Sequence, residues 1–491
     1  MRRLGVVVGN PKVDKFNFGA SVEDKIRRGQ LIEVPNDKGK IIAQIDEITA
    51  VNEYFGDGSV RQHIFRNGIS TFMDKTVFLA TATPLAMSNG SGSINSPDLP
   101  VVPGSEVLPV LRETAKEVLG FKENGINLGV MMHNEDVQVS LDQDKLIPTH
   151  VAILAQTGGG KTYTILVMLE EFLKKNLTLR DEVFGKNAEM HTLIIDPHGE
   201  YKNLLNSAEK LHKENAIDVF NGPFTIPINE TPPTFFQEIV ELTDAQFRIL
   251  EDSWNKINES NHITINNLEN SIRRSAGAKQ TKDILLQILE KFKFHKLIAD
   301  RGSIDLTKKI SENKILILDF SKISSYIQQV YLKYALKKVF DGRIDGNIPP
   351  LCTVIEEIHN FAPSSESSIT RGIIRRIARE GRKFGVGLCI ASQRPSMIDT
   401  TVISQCSTII ALRTTNEKDL KSISAIAEGM NSDLLRKLPP GSALIAGRVV
   451  NYPVYVKVRH RIVEEDKEDM FFQEKMISHP IKSGQAKLFV E

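Results

Sequence analysis

The run "LAQTGGGKTYTIL", Leu154 to Leu166, passes from apolar residues through three consecutive glycines to Lys161 and Thr162, then into a helical apolar pattern. A polyphosphate asks for this arrangement. Its charge is best met by backbone N–H groups at a helix N-terminus, where the helix dipole is positive. Glycines let the backbone wrap closely around the oxygens. A following lysine reaches the outer phosphates, and the next hydroxyl is placed to ligate Mg²⁺. The pattern G-x-x-x-x-G-K-[ST] holds except at its first position, where Ala155 stands. "THVAILA" ahead of the loop reads as a buried strand, and "YTILVMLEEFLKK" behind it as a helix. Gly158, Gly159, Gly160, Lys161, Thr162 and the adjoining Tyr163 are therefore the candidate nucleotide-binding residues, with Thr162 also at the metal.

The rest of the chain limits what such a site can serve. Its 491 residues suit about three domains. A hydrophobic fraction of 41% with 25% charged residues is ordinary for a globular protein. The net charge of +1 means that any basic surface must be local. Cys352, Cys389 and Cys406 sit in or beside apolar runs without metal-ligand spacing, so buried thiols in a reducing compartment are expected. No apolar run approaches the roughly 18 residues of a membrane span, and "MRRLGVVVGNPK" has too short an apolar stretch for a signal peptide. The expectation is a cytoplasmic protein that makes no membrane contact.

Organisation changes along the chain. "LGVVVG", "QLIEV", "IIAQIDEITAV" and "TVFLATATPL" are short strand-like runs between turn residues, which suggests a small barrel. "MSNGSGSINSPDLPVVPGS" reads as a linker. Strands then alternate with a helix as an α/β domain requires. From about residue 202 to 300 the pattern becomes helical and charged, as in "PPTFFQEIVELTDAQFRILEDSWNKI". Strand-like runs return in "NKILILDF", "LCTVIEEI", "GVGLCIASQRP", "STIIALRT" and "SALIAG". A helical segment inserted into one α/β domain explains this better than two α/β domains. The divisions fall at 1–100, 101–201, 202–305, 306–463 and a tail, 464–491.

Hydrolysis needs one carboxylate near Mg²⁺ and a second that orients water. "LIIDPHGEY" offers Asp196 with Glu200, "ILILDF" offers Asp319, and "CTVIEEIHNF" offers Glu356 and Glu357. Adjacent acids ending an apolar strand fit best. Glu356 is assigned to the metal through water and Glu357 to the attacking water; Asp196 with Glu200 is the alternative pair, and Asp319 is read as an ordinary strand-end acid. Gln393 in "IASQRP" can bond a γ-phosphate and report its loss. In "SSITRGIIRRIAREGRKFG" helical spacing puts Ile369, Ile373, Ile374 and Ile377 on one side and Arg371, Arg375, Arg379 and Arg382 on another. A solvated face is the usual reading of such a stripe, but its place between two nucleotide motifs makes a neighbour's phosphate or a nucleic-acid backbone a target. Arg382 is the candidate finger acting in trans, and Arg413 in "IIALRTTN" the arginine near its own subunit's phosphates.

"AQTGGGKT", "LIIDPHGEY", "VIEEIHNFAP", "REGRKFGVGLCIASQRP" and "VISQCSTIIALR", in this order, resemble the HerA-type hexameric DNA translocases of the FtsK/HerA group of P-loop ATPases. The resemblance covers nearly the whole chain. It implies a RecA-like α/β ATPase core using ATP and Mg²⁺, an N-terminal HerA–ATP synthase-type β-barrel, an inserted helical bundle, and a tail clasping a neighbour. It further implies a homohexamer that moves duplex DNA through a central channel. In archaea such proteins partner the NurA nuclease, alongside the break-repair nuclease–ATPase complex, in end resection for homologous recombination. The stretch "HNFAPSSESSITRG" is short of large apolar groups and in a ring could face the pore, with Arg371 on phosphates. Three other readings compete: a GTPase switch, since "NEKD" at Asn416–Asp419 resembles a guanine-reading motif with its lysine displaced; a nucleotide-binding scaffold without turnover; and a secretion or conjugation ATPase.

Overall fold

The computed structural model describes residues 3–37, 39–52, 76–89, 94–175, 177–181, 185–259, 263–427 and 432–463. The tail expected at 464–491 lies outside the described residues.

The N-terminal strands are β1 Gly5–Val8, β2 Phe16–Ser21, β3 Leu31–Asn36, β4 Gly39–Val51, β5 Val77–Ser88 and β6 Glu106–Pro109. They run β2-β1-β6-β3-β4-β5, and β5 pairs back on β2, which closes the barrel. Alternation decides which side chains fill it. Phe16, Phe18 and Ala20 of β2 turn inward to meet Val7, Ile32, Val34, Ile41 and Val107. Register shifts within the thirteen-residue β4 give the long strand its bends. The stretch expected to be a linker is partly structural. Val101 is buried in the barrel, and β6 beyond it pairs with both β1 and β3. "EVLP" is too short to stand out as a strand, and only closure of the barrel defines it.

The central sheet has eleven strands. In chain order they are β7 Ile126–Met131, β8 Asn134–Leu141, β9 Val151–Leu154, β10 His191–Asp196, β11 Ile217–Asn221, β12 Ile315–Asp319, β13 Leu351–Ile355, β14 Val386–Ser392, β15 Thr408–Leu412, β16 Ser442–Gly447 and β17 Val454–Val458. Spatially the order is β11-β12-β10-β13-β14-β9-β15-β16-β17-β7-β8. The first seven are mutually parallel, and β15 onward pairs antiparallel. Strands covered on both faces read as continuous apolar runs, and β9, β12, β13, β14 and β15 are buried at every position. Helix α1, Lys161–Lys174, packs Ile165, Leu169 and Phe172 on one face. The three cysteines are buried and free, as expected.

The insertion is a bundle of α2 Asp244–Asn258, α3 Ile265–Arg274 and α4 Lys279–Phe294 around Leu250, Trp254, Leu268, Ile272, Leu285 and Leu289. Thr243 starts α2 with a reciprocal cap: its hydroxyl accepts from Gln246 N–H while the Gln246 side chain accepts from Thr243 N–H. The segment from 202 to 305 is not wholly helical, however. β11 lies within it and is the parallel edge partner of β12. Five residues, "IDVFN", have no strong period of their own, and their pairing with a strand almost a hundred residues later is a tertiary effect. Helices α5 Ser325–Ile344 and α6 Arg371–Glu380 return the chain to the sheet, with Ile374 and Ile377 of α6 buried and Ile369 and Ile373 packed beside them. The apolar side expected of α6 is thus the side it buries.

Candidate nucleotide-hydrolysis site

Ligands of open α/β sheets bind at the carboxyl ends of the strands. Four consecutive strands end together here. β13 leads into Glu356 and Glu357, β14 into Gln393, β9 into the glycine loop, and β15 into Arg413. Gly158 and Gly160 have φ values of +74° and +92°, which a side chain would resist, and Gly160 is the residue from which α1 starts. Ala155 is fully buried, and its N–H donates to Ser392 O at 3.2 Å. Gln156 N–H donates to Arg413 O at 3.0 Å. The substituted first position of the loop therefore fits between two neighbouring strand ends and leaves the cradle intact.

The charged residues converge at the start of α1. The Lys161 ammonium pairs with Glu356 and lies 3.0 Å from Glu357 Oε1. All three side chains are nearly excluded from solvent. Tyr201, fully buried, donates its hydroxyl to the other Glu356 oxygen. The Thr162 hydroxyl donates to Glu200 Oε2 at 2.6 Å. Glu357 has φ +47° and ψ 49°, a left-handed conformation that costs a non-glycine residue energy and is found where side chains are aimed for function. Burial pushes its carboxyl up. The His359 contact, the Lys161 charge and hydrogen bond, and the Gln393 N–H outweigh that and bring it down to about 2. Gln393 N–H donates to Glu357 Oε2 at 3.3 Å, and the Thr157 hydroxyl donates to Gln393 Oε1 at 2.5 Å.

The other acids are committed elsewhere. Asp196 accepts from the N–H groups of His198, Gly199, Glu200 and Tyr201, at 2.7 to 3.2 Å, and so folds the loop that delivers Glu200 and Tyr201. Burial raises its carboxyl against those four donors. Asp319 pairs with Lys202 at 2.7 Å and caps Ser321 N–H. Of the alternative pair, only Glu200 reaches the glycine-loop helix. "NEKD" is structural: Asn416 caps the following helix through Lys418 and Asp419 N–H, and Asp419 accepts from Ser396. Tyr163 is half-buried, and its hydroxyl accepts from Arg461 N–H at 3.0 Å.

The arginine stripe divides. Arg375 makes a two-pronged pair with Asp399, Nε to Oδ1 at 3.0 Å and Nη2 to Oδ2 at 2.5 Å, and is not a free face residue. Arg371 donates to Glu366 O at 2.9 Å, inside the serine-rich loop. Arg379, Arg382 and Arg413 are exposed. Sequence reasoning missed Tyr201, Thr157, His359 and Ser392. All four lie inside the quoted motifs, but no spacing rule singles them out.

A parallel sheet with a glycine loop, its lysine and two strand-end glutamates defines a P-loop ATPase. Residues 126–339 match the family described as "Helicase HerA, central domain". The chain is similar to the DNA double-strand break repair helicase HerA of Sulfurisphaera tokodaii, 29% identical over 93% of this chain and 92% of that protein. It is similar also to the HerA of Sulfolobus acidocaldarius, 26% identical over the same shares. Among solved structures, VirB4 of Thermoanaerobacter pseudethanolicus shares the fold with a TM-score of 0.51, 17% identity, and coverage of 69% of this chain and 97% of that one. The chain is an ATP-hydrolysing P-loop enzyme similar to the HerA helicases. Among the described residues no helix is long and apolar enough to cross a membrane.

Proposed function

We propose that this protein is an ATP-driven motor that moves along duplex DNA as a homohexameric ring and serves double-strand break repair in the cytoplasm, handing ends to a NurA-type nuclease for resection. The observation that carries the hydrolytic part is the placement of Glu357, held in a left-handed turn beside Lys161 and Gln393. The relatives' description as DNA double-strand break repair helicases supports DNA as the track. The division at 1–100, 101–201, 202–305, 306–463 and 464–491 goes with this reading as barrel, split core, inserted bundle and neighbour-clasping tail.

Each residue has a task in this mechanism. The N–H groups of Gly158, Gly159 and Gly160 hold phosphate oxygens at the positive end of α1. Lys161 exchanges its carboxylate partners for the outer phosphates. Glu357, with its carboxyl at about 2, is a weak base, so it orients the attacking water and accepts its proton only once the phosphoryl group has largely left. Gln393 senses the γ-phosphate from the next strand end. Arg413 lies near its own subunit's phosphates, and Arg382 reaches a neighbour's. Mg²⁺ fits the donors present, because Thr162, Glu356 and Glu200 offer only oxygen ligands. Among the described residues no His, Cys, Asp and Glu cluster forms a metal site by itself, which suits an ion held mainly by substrate phosphates. Thr162 and, through water, Glu356 would hold it, and it would neutralise charge on the phosphates.

Turnover of ATP and GTP, with and without duplex DNA, tests the proposal. ATP hydrolysis stimulated by duplex is expected. Lys161→Ala should lose nucleotide, while Glu357→Gln should bind ATP and lose about 10² to 10⁴ in turnover. Normal turnover in Glu357→Gln with none in Asp196→Asn would pass the role to the alternative pair. ATPase activity indifferent to DNA would remove the motor.

A further inference from the structure

We propose that His359 is a positioning residue: it fixes the Glu357 carboxylate and joins it to the strand end that carries Gln393. The inference rests on the hydrolytic role given to Glu357 above. His359 lies in the single turn Ile358–Asn360, which folds back over the end of β13 directly after the left-handed Glu357. Its Nδ1 is 3.2 Å from Glu357 Oε2 and 2.9 Å from Ser392 Oγ. An ionised carboxylate only accepts hydrogen bonds, so Nδ1 must carry the hydrogen. Ser392 is fully buried and also accepts from Arg394 N–H at 2.9 Å, so the hydroxyl has a fixed place.

β13 and β14 are parallel neighbours, with Ile355 beside Ile390. Their ladder stops just before the chemistry begins, and beyond it the two chain segments would separate. The Glu357–His359–Ser392 contacts continue the join, together with Gln393 N–H on the same Glu357 oxygen. One carboxylate oxygen is thereby held by two donors, and Oε1 is left facing Lys161. A glutamate otherwise has three rotatable bonds, and freezing them in advance removes entropy from the reactive geometry. The carboxylate and the phosphate-sensing amide are then set as one unit.

The test is steady-state ATP hydrolysis by the full chain carrying His359→Leu, His359→Asn or Ser392→Ala, with Glu357→Gln measured in parallel. A misplaced group of this kind costs up to about 10²-fold, so His359→Leu should lower kcat by about 10- to 100-fold with KM nearly unchanged. Asn carries an N–H at about the reach of Nδ1 and should recover most of the rate, staying within roughly threefold of the parent. Ser392→Ala should fall between. The inference is overturned if His359→Leu turns over at the parental rate. It is equally overturned if Leu and Asn are alike in lost rate and lost thermal midpoint, since the ring then only fills space. An inactive Glu357→Gln beside a fully active His359→Leu sinks this inference alone, whereas an active Glu357→Gln removes the hydrolytic assignment beneath it.

Discussion

Acidification should weaken the ATPase core through one buried imidazole. His150 stands immediately before β9, with φ +61° and 3% exposure. Leu388 N–H, which can only donate, lies 2.9 Å from Nδ1; Nε2 lies 3.1 Å from Ala378 O, which can only accept. The neutral ring with hydrogen on Nε2 satisfies both, and a protonated ring would set Nδ1–H against Leu388 N–H. Burial lowers the pKa from 6.5 to about 4; the Ala378 carbonyl opposes this and the Arg382 charge adds to it. The unfolded chain takes up its proton near 6.5, the folded one only near 4. Stability is therefore complete above about 6.5 and is lost as the pH falls toward 4, because the unfolded state binds more protons there. Between pH 7 and 4.5 the loss is about 2 kcal/mol. Chemical denaturation of the parent and of His150→Asn at both pH values measures it. Asn tolerates positive φ, and its carbonyl can receive Leu388 N–H. It should begin less stable at pH 7 and then lose about 2 kcal/mol less than the parent on acidification. Parallel losses in the two proteins would refute the reasoning.

Arg382→Ala should lower turnover by about 10³ while nucleotide still binds, and mixing with Lys161→Ala subunits should restore basal hydrolysis at interfaces that pair an intact loop with an intact finger. Parental ATPase with weaker, less salt-sensitive duplex binding would place the arginine on DNA instead. Arg375→Leu should lower the thermal midpoint, because Asp399 is buried and also caps Thr401 and Val402 N–H; an unchanged midpoint would return Arg375 to the solvated face. Gly447→Ala should be destabilised by more than about 3 kcal/mol in urea unfolding, since φ is +99° and an added methyl would sit 2.0 Å from Ser407 O. Ending the chain after residue 463 should shift assembly to smaller species in sedimentation, and an unchanged ring would make the tail a free appendage.

What the sequence reveals follows the range over which each feature is determined. The glycine loop is legible because a phosphate cradle is local: strand, turn and helix are contiguous from Val151 to Lys174. Glu356 and Glu357 are legible because two acids closing an apolar strand conflict with burial unless a site needs them. Tyr201 is not, since nothing near it in sequence announces a hydrogen bond to Glu356, which lies 155 residues further on. Arg375 shows the same limit. Helical spacing put it on a basic face, and Asp399, across the fold, takes it off. β6 and β11 were missed for a related reason: four or five residues become a strand only when a sheet edge receives them.

The antiparallel border of the central sheet bears on how the chain can be made. Val456 of β17 pairs with Met131 of β7, about 325 residues earlier. During synthesis the barrel strands from Gly5 to Pro109 can close on one another as soon as they emerge. The hairpin of β7 and β8 must wait with one edge bare until almost all of the remaining ATPase domain has been made. A bare strand edge is a template for pairing with other chains, and such distant closure is slow. Ile126–Leu141 is therefore the stretch most in need of protection in a nascent or newly released polypeptide, and a shortened product lacking β17 would carry that edge permanently.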